Sequence, residues 1–316
     1  MSGIQKSSAL NNEPTMNASD FDKQLLRFVK DFCAPYDEMR KGLEKARVSV
    51  VDKNNHYGKD LPAWPLDTVY VSVDGFMNLY SILYDIPNMT DDLDQLVEDE
   101  VIEKAADVII TTTILCGCLS WDKVRNIVHI NNKQLDDSLL DCPCASLAKL
   151  PQWAICFNTV EQNLLWNERP VAGVIFYRSF ISNDLKEALQ VSSNTANNVL
   201  DGEPEATINN LSTLIIYNDG EIIIGPYIEL CSSGSINSYF NNMSNPLLNN
   251  YDEIAKAADQ FSRKIFKLLA YFLENLDNLK NAKGEKVSFA PNPEPVKTKK
   301  GYRLFGSDRI SSYYLD

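Results

Sequence analysis

The stretch that decides the fold is Leu150-Pro151-Gln152-Trp153-Ala154-Ile155-Cys156-Phe157. A Leu-Pro pair ends any preceding helix, because proline has no amide hydrogen and restricts the backbone of the residue before it. The run from Trp153 to Phe157 then combines aromatic and apolar residues in the proportion typical of strands. The sequence therefore predicts that a helical region ends here and that a buried strand begins.

Further β-rich runs follow this strand. They cover Ala172–Phe180, Leu211–Tyr217 and Glu221–Leu230. The last two are separated by Asn218-Asp219-Gly220, which favours a tight hairpin. The sequence therefore predicts an antiparallel sheet. Residues 183–210, rich in Asn, Ser and acidic residues, predict a long surface excursion between two of its strands.

Helical periodicity dominates on both sides of the predicted sheet. Apolar residues recur every three or four positions after Ser19, again from Asp91 onward, and from about residue 250 to 279. Only a short strand, within residues 124–130, interrupts the first half. The predicted fold class is α+β, with a helical N-terminal half and an antiparallel β-sheet packed by a long C-terminal helix.

The same patterns divide the chain into four regions. Residues 1–18 are polar and predict a flexible tail, and residues 19–145 form a mainly helical region. Residues 146–290 hold the sheet and the long helix, which we expect to be compact with the preceding region. Residues 291–316 form a proline linker followed by a basic and aromatic C-terminal segment.

Composition narrows the classes of function. Among 316 residues, 43 acidic residues outnumber 30 basic ones, for a net charge of -13, which argues against general affinity for nucleic-acid backbones. The seven cysteines lack the dense spacing of a secreted scaffold. No apolar run approaches the length of a membrane span, and residues 1–18 lack the apolar core of a signal peptide. We expect a cytoplasmic protein that does not contact a membrane.

No catalytic motif is visible. Cys116-x-Cys118 and Cys142-x-Cys144 have too little spacing for a structural zinc site, and the first pair lies in an apolar helical run. His129, in a predicted strand, has no motif around it. Residues 232–235, Ser-Ser-Gly-Ser, favour a serine-capped helix over a nucleophile. We therefore expect no catalytic residue, no metal and no cofactor, and predict a protein that is not an enzyme.

Two groups of residues are candidates for binding a partner. The basic segment near the C-terminus interleaves cations with aromatic residues, a combination that suits phosphate contacts and base stacking in RNA. Aromatic and cationic residues of the predicted sheet suit a groove for an extended peptide. The candidates are Trp153, Trp166, Tyr177 and Arg178 in the sheet region, and Lys297, Lys299, Lys300, Tyr302 and Arg303 in the basic segment.

The order and spacing of several motifs resemble those of the type V-A anti-CRISPR proteins that suppress production of the CRISPR effector nuclease, together with their phage and plasmid relatives. The resemblance spans roughly residues 100–305. The motifs are Trp121 with the region of Ile130, Leu150-Pro151-Gln152-Trp153, Gly173-Val174-Ile175-Phe176-Tyr177, Ser232-Ser233-Gly234-Ser235, Leu268-Leu269-Ala270-Tyr271-Phe272-Leu273 and Lys299-Lys300-Gly301-Tyr302-Arg303.

This resemblance implies a protein that recognises a nascent N-terminal peptide of its target nuclease and causes loss of the message during translation. The ribosome or RNA would be approached through the basic segment. The N-terminal hundred residues and the excursion at 183–210 depart from the family, and we expect one of them to set the identity of the target. The resemblance transfers no catalytic residues.

Two other functions fit the sequence. One is a phage or plasmid accessory protein that binds an unrelated protein target. The other is a hydrolase or ribonuclease whose site is assembled from residues distant in sequence. An RNA cleavage assay with and without a chelator separates the enzymatic alternative from the two binding functions.

Overall fold

A computed structural model describes residues 16–37, 99–131, 135–181, 208–229, 234–243, 253–293, 295–299 and 301–316. Within them lie the helices α1 (Ala18–Cys33), α2 (Asp99–Val124), α3 (Ile236–Met243) and α4 (Glu253–Glu274). The strands are β1 (Asn126–Ile130), β2 (Ala154–Asn158), β3 (Leu165–Trp166), β4 (Arg169–Ile181), β5 (Ile208–Tyr217), β6 (Ile222–Ile224), β7 (Ile228–Glu229), β8 (Pro295–Thr298), β9 (Gly301–Leu304) and β10 (Ser311–Leu315).

The main sheet is mixed. Its strand order is β10-β1-β2-β4-β5-β6, with β3 added to β4 and β7 added to β5, while β8 and β9 form a separate hairpin. Strand β1 runs parallel to both of its neighbours, β2 and β10, and the remaining pairs are antiparallel. The fold is therefore α+β, as predicted. The strands β2, β4, β5, β6 and β7 pair antiparallel, as predicted, but the sheet as a whole is mixed, because β1 and β10 extend it in parallel.

The reason is the connection between β1 and β2. It contains two 3-10 segments, Asp137–Asp141 and Cys144–Lys149, and it crosses one face of the sheet before β2 begins. A crossover of this length returns the chain in the same direction, whereas a tight turn reverses it.

Both faces of the sheet are buried, and the register shows how. Ile127, Cys156, Ile175 and Leu214 lie opposite one another across four strands and join the core beneath α1 and α2. The next row begins with Val128 and joins the core beneath α3 and α4. Because side chains alternate between faces, adjacent apolar positions feed two separate cores. This explains why the strands read as almost continuous apolar runs.

Helix α1 is seated on the first face through aromatic side chains. Phe21, Leu25 and Phe28 are buried there. A Cβ atom at Gly173 of β4 would lie 2.2 Å from Cζ of Phe21, so the ring occupies the space that any larger residue at 173 requires. Gly220 has a φ of 92° in the β5–β6 hairpin, and the ring of Phe28 covers it. The tight hairpin predicted at residues 218–220 is confirmed.

Helix α4 covers the second face with a ladder of aromatic contacts. The ring of Phe157 in β2 meets Phe272 edge to face at 5.6 Å, and Phe176 in β4 meets Phe266 at 5.4 Å. The helix ends at Glu274, and a 3-10 segment at Leu276–Asn278 follows it. The last residues of the helix predicted at 250–279 therefore form a separate 3-10 turn after the end of α4.

The start of α3 settles the alternatives for the serine-rich motif. The Ser235 hydroxyl accepts a hydrogen bond from the amide of Ser238 at 3.1 Å, which is the geometry of an N-cap. The predicted capping role is therefore confirmed. Residues 232 and 233 of that motif lie outside the described residues, as do most of the predicted tail and residues 182–207 of the predicted excursion.

We predict that Gly173→Ala lowers the free energy of unfolding by about 1–3 kcal/mol, because the new methyl group displaces the Phe21 ring. Denaturant unfolding monitored by circular dichroism measures this. Adding Phe21→Leu to that variant should recover part of the loss, since the smaller side chain leaves room. Simple addition of the two single losses would contradict a direct contact.

Candidate functional site

Two buried amide side chains lie at the amino ends of β1 and β2. Asn126 is 1% exposed and Gln152 is 2% exposed. The Asn126 side chain donates to the carbonyl of Ala154 at 2.7 Å and to the Gln152 side-chain oxygen, and its own oxygen accepts from the Cys156 amide at 3.0 Å. The Trp121 indole donates to the Asn126 carbonyl at 2.7 Å. We call Asn126 and Gln152 the amide pair.

The amide pair also holds the C-terminal segment. Gln152 donates from its side chain to the Ala290 carbonyl, and the amide of Trp153 donates to the Asn292 side chain at 2.8 Å. The Leu-Pro-Gln-Trp motif is therefore the point where β1, β2 and the C-terminal segment meet. Pro151 places Gln152 ahead of the strand, where its side chain reaches all three.

We predict that Gln152→Ala lowers the free energy of unfolding by about 2–3 kcal/mol, because it leaves buried partners without a hydrogen bond. Gln162 is the matched control, since its side chain makes one bond, to the Ile130 carbonyl at 2.8 Å, from a half-buried position. Gln162→Ala should cost about 0.5–1.5 kcal/mol. If urea titrations gave equal losses of unfolding free energy for Gln152→Ala and Gln162→Ala, the larger structural contribution of the amide pair would be contradicted.

A second polar group lies at the carboxyl ends of β1, β2 and β10. The His129 ring stacks on Tyr314, with centroids 4.5 Å apart, and its Nε2 lies 3.0 Å from a carboxylate oxygen of Asp22 in α1. Asn158 donates to the other oxygen of Asp22 at 2.8 Å and to the Ala18 carbonyl at 2.9 Å. These contacts fasten the first turns of α1 to the sheet.

The chemistry of this group is more structural than catalytic. Nε2 of His129 is buried and, despite its distance from Asp22, makes no hydrogen bond of good geometry. Among the described residues, no hydroxyl or thiol is hydrogen-bonded to His129, so the arrangement of nucleophile, base and orienting acid is not assembled there. Burial, and then the charge of Asp22, raises the pKa of Tyr314.

The basic segment folds as the β8–β9 hairpin. In its register Lys297 lies opposite Tyr302, and Val296 lies opposite Arg303. Lys297 and Lys299 are exposed. Lys300 lies outside the described residues, and only the backbone is described for Tyr302 and Arg303. The backbones of Lys297 and Arg303 therefore lie on the two facing strands of one hairpin, with Lys299 in its turn, and this hairpin is separate from the main sheet. We call this hairpin the arm.

The predicted peptide-binding residues of the sheet region lie on different faces. Trp153 and Tyr177 are buried in the core under α1 and α2, where the Tyr177 hydroxyl donates to the Thr113 carbonyl at 3.0 Å. Trp166 lies on the other face, half-buried against Phe261 at 4.7 Å. Arg178 pairs with Leu211 through the backbone, and its side chain is outside the description. These positions do not form one groove.

A polar cavity of about 310 Å³ opens beside the last residues of β10. Its lining includes Tyr271, Asn275, Asn278, Lys280, Lys286 and Asp316. Lys280 donates to the Asp316 carboxylate, and this bond, followed by one from Asn131, holds the pKa of that carboxyl below its ordinary value. The wall of the cavity thus carries charges of both signs.

The cysteines act mainly as core residues. Cys116, Cys118 and Cys144 are buried, and burial raises the pKa of Cys118 and of Cys156 well above the ordinary value. The thiols of Cys118 and Cys156 therefore stay protonated at neutral pH. In the part of the chain that the structure describes, no group of three or more His, Cys, Asp or Glu side chains is arranged to hold a metal ion.

We predict that Cys142, which is partly exposed, reacts before the other described cysteines with a thiol reagent in the native protein. Cys142→Ser should remove one equivalent from the fast phase of the reaction with Ellman's reagent. Cys144→Ser is the matched control, and it should leave the fast phase unchanged because Cys144 is buried. A fast phase reduced equally by both substitutions would contradict the different burial of the two thiols.

Comparison with known proteins identifies a solved structure with a similar fold. No protein-family model matches the sequence, and no curated protein sequence is significantly similar to it. A crystal structure of AcrVA2, an anti-CRISPR protein, superposes with a TM-score of 0.56 at 12% identity, covering 95% of this chain and 84% of that one. The chain shares its fold with AcrVA2. The resemblance to type V-A anti-CRISPR proteins is thus supported at the level of the fold.

The helices of the structure also bear on the prediction that the protein does not contact a membrane. Among the described residues, no helix combines the length and the apolar character that a bilayer span requires.

The sequence did not point to the amide pair as the centre of the structure. A glutamine between proline and tryptophan at the start of a buried strand was the available signal, because a buried amide needs partners. The partners themselves lie 26 and 138 residues away in sequence, and the fold alone brings them together.

Proposed function

We propose that the chain is an anti-CRISPR-like inhibitor that binds a nascent N-terminal peptide of a CRISPR effector nuclease and triggers loss of its mRNA during translation. The observation that carries the proposal is the fold shared with AcrVA2 over 95% of this chain. The motif order from Trp121 to Arg303 supports the same relationship from the sequence.

The uneven distribution of charge supports separate binding regions for the peptide and for the ribosome or RNA. Residues 280–316 contain eight Lys or Arg and four Asp or Glu, a net charge of +4, while the other 279 residues contain 22 and 39, a net charge of -17. An acidic body repels RNA, whereas a basic C-terminal region attracts it. In the proposed mechanism the body binds the peptide and the C-terminal region faces the translating ribosome or its message.

For the peptide, the described surface around Trp166 offers an apolar platform. The Trp166 ring is half-buried on the ring of Phe261, with the two centroids 4.7 Å apart. Aromatic side chains held by a rigid neighbour are effective anchors for a partner. We therefore place one contact of the nascent peptide at Trp166, and expect Trp153 and Tyr177 to support the fold.

The function is tested by measuring nuclease mRNA in cells that express the chain. Two nuclease genes are compared: an intact gene, and a gene in which compensating single-base shifts change the reading frame of the first codons but leave the RNA nearly unchanged. We expect the chain to lower the mRNA of the intact gene only, because recognition requires the translated peptide. Trp166→Ala should weaken this effect, with Tyr271→Phe as a surface control.

Loss of both messages would favour direct action on RNA, and loss of neither would contradict the proposed function. The purified chain should not cleave RNA with or without a chelator, because the proposed function is binding and requires no catalytic activity of the chain. Cleavage that the chelator abolishes would favour the ribonuclease alternative.

A further inference from the structure

A large aromatic side chain is exposed directly after the basic hairpin. Phe305 follows β9 and is 58% exposed, although phenylalanine is usually buried. Val296 of β8, on the same arm, is 50% exposed. An exposed aromatic residue among cations is the arrangement by which proteins stack on unpaired bases while holding the phosphates.

The base of the hairpin adds one cation from a distant part of the sequence, Lys123, and one from the segment just after Phe305, Arg309. The amide of Ser307 donates to the Lys123 carbonyl at 2.9 Å, which fixes the chain after Phe305 against the end of α2. The Ser307 hydroxyl donates to the Arg309 carbonyl at 2.6 Å, and Arg309 is exposed. Along the chain, Phe305 is therefore preceded by the lysines of the arm and followed by a segment that contacts Lys123 and contains Arg309.

Two physical points select the ligand. The five residues from Phe305 to the turn of the hairpin span about 17 Å, which matches the smallest single-strand sites of about four nucleotides. In addition, a base paired within a duplex has no free face for a phenylalanine ring. The acidic remainder of the chain, at -17, directs a polyanion to this end of the molecule.

We propose that Phe305, with Lys297 and Lys299 on the arm and Lys123 and Arg309 at its base, forms a binding surface for single-stranded RNA. Phe305 stacks on one base, and the cations contact the neighbouring phosphates. The inference deepens the proposed function and rests on it for its biological role: the surface would hold the message close to the translating ribosome.

The test is fluorescence anisotropy of a labelled 12-nucleotide oligouridine with the full chain between 50 and 200 mM salt. About four phosphate contacts predict a slope of log affinity against log salt of about -3. Phe305→Ala should weaken binding about tenfold and leave the slope unchanged, and Phe305→Trp should restore it. Lys297→Ala with Lys299→Ala should reduce the magnitude of the slope by about 1.4.

Matched controls lie elsewhere on the surface. Leu165→Ala removes an apolar side chain of equal exposure, and Lys256→Ala with Lys264→Ala removes two exposed lysines from α4. These variants should bind oligouridine like the wild type, and an RNA duplex should bind the wild type more weakly. No binding by the wild type, equal losses in the controls, or a duplex preference would each overturn the proposal.

The outcome is separable from that of the proposed function. A chain that lowers nuclease mRNA in cells but does not bind oligouridine would overturn this inference alone. A chain that binds oligouridine through Phe305 but leaves nuclease mRNA unchanged would overturn the proposed function and keep the surface.

Discussion

The hydrogen bonds of the buried amide pair, Asn126 and Gln152, are the constraint on which the rest of the structure depends. They hold the first residues of β1 and β2 side by side, and they fix the C-terminal segment at Ala290. Parallel strands lack a connecting turn that sets their register, so a specific tie at their start has to supply it. Such buried polar groups contribute specificity because few alternative arrangements satisfy all of them.

Because the amide pair holds the chain at Ala290, the residues that follow form two separate structural elements. After residue 292 the chain forms the β8–β9 hairpin, which is separate from the main sheet, and it then joins the main sheet as β10 along β1. The hairpin is therefore anchored at both ends, by Gln152 on one side and by Lys123 on the other. A basic arm that is held at both ends loses less conformational entropy on binding than a free tail.

Local signals in the sequence were sufficient for local structure. The hairpin at Asn218-Asp219-Gly220, the cap at Ser235 and the strand after Pro151 each depend on residues a few positions apart, and all three are present. The parallel strand at Tyr313 and Tyr314 was not recognised, because its partner β1 lies about 185 residues earlier and nothing near it signals the pairing. The same holds for the candidate site: the basic positions of the C-terminal segment are visible in the sequence, while the proximity of Lys123 depends on the fold.

In the proposed function, the acidic body of the protein recognises the nascent nuclease peptide during translation, while the basic arm approaches the message. The most direct measurement is a pull-down of the tagged chain from cells that carry a CRISPR nuclease, with and without puromycin, followed by sequencing of the bound RNA. The account predicts enrichment of the nuclease message together with ribosomal proteins, and loss of both when puromycin releases the nascent peptides. A partner that is a finished protein, bound equally in the presence of puromycin, would contradict it.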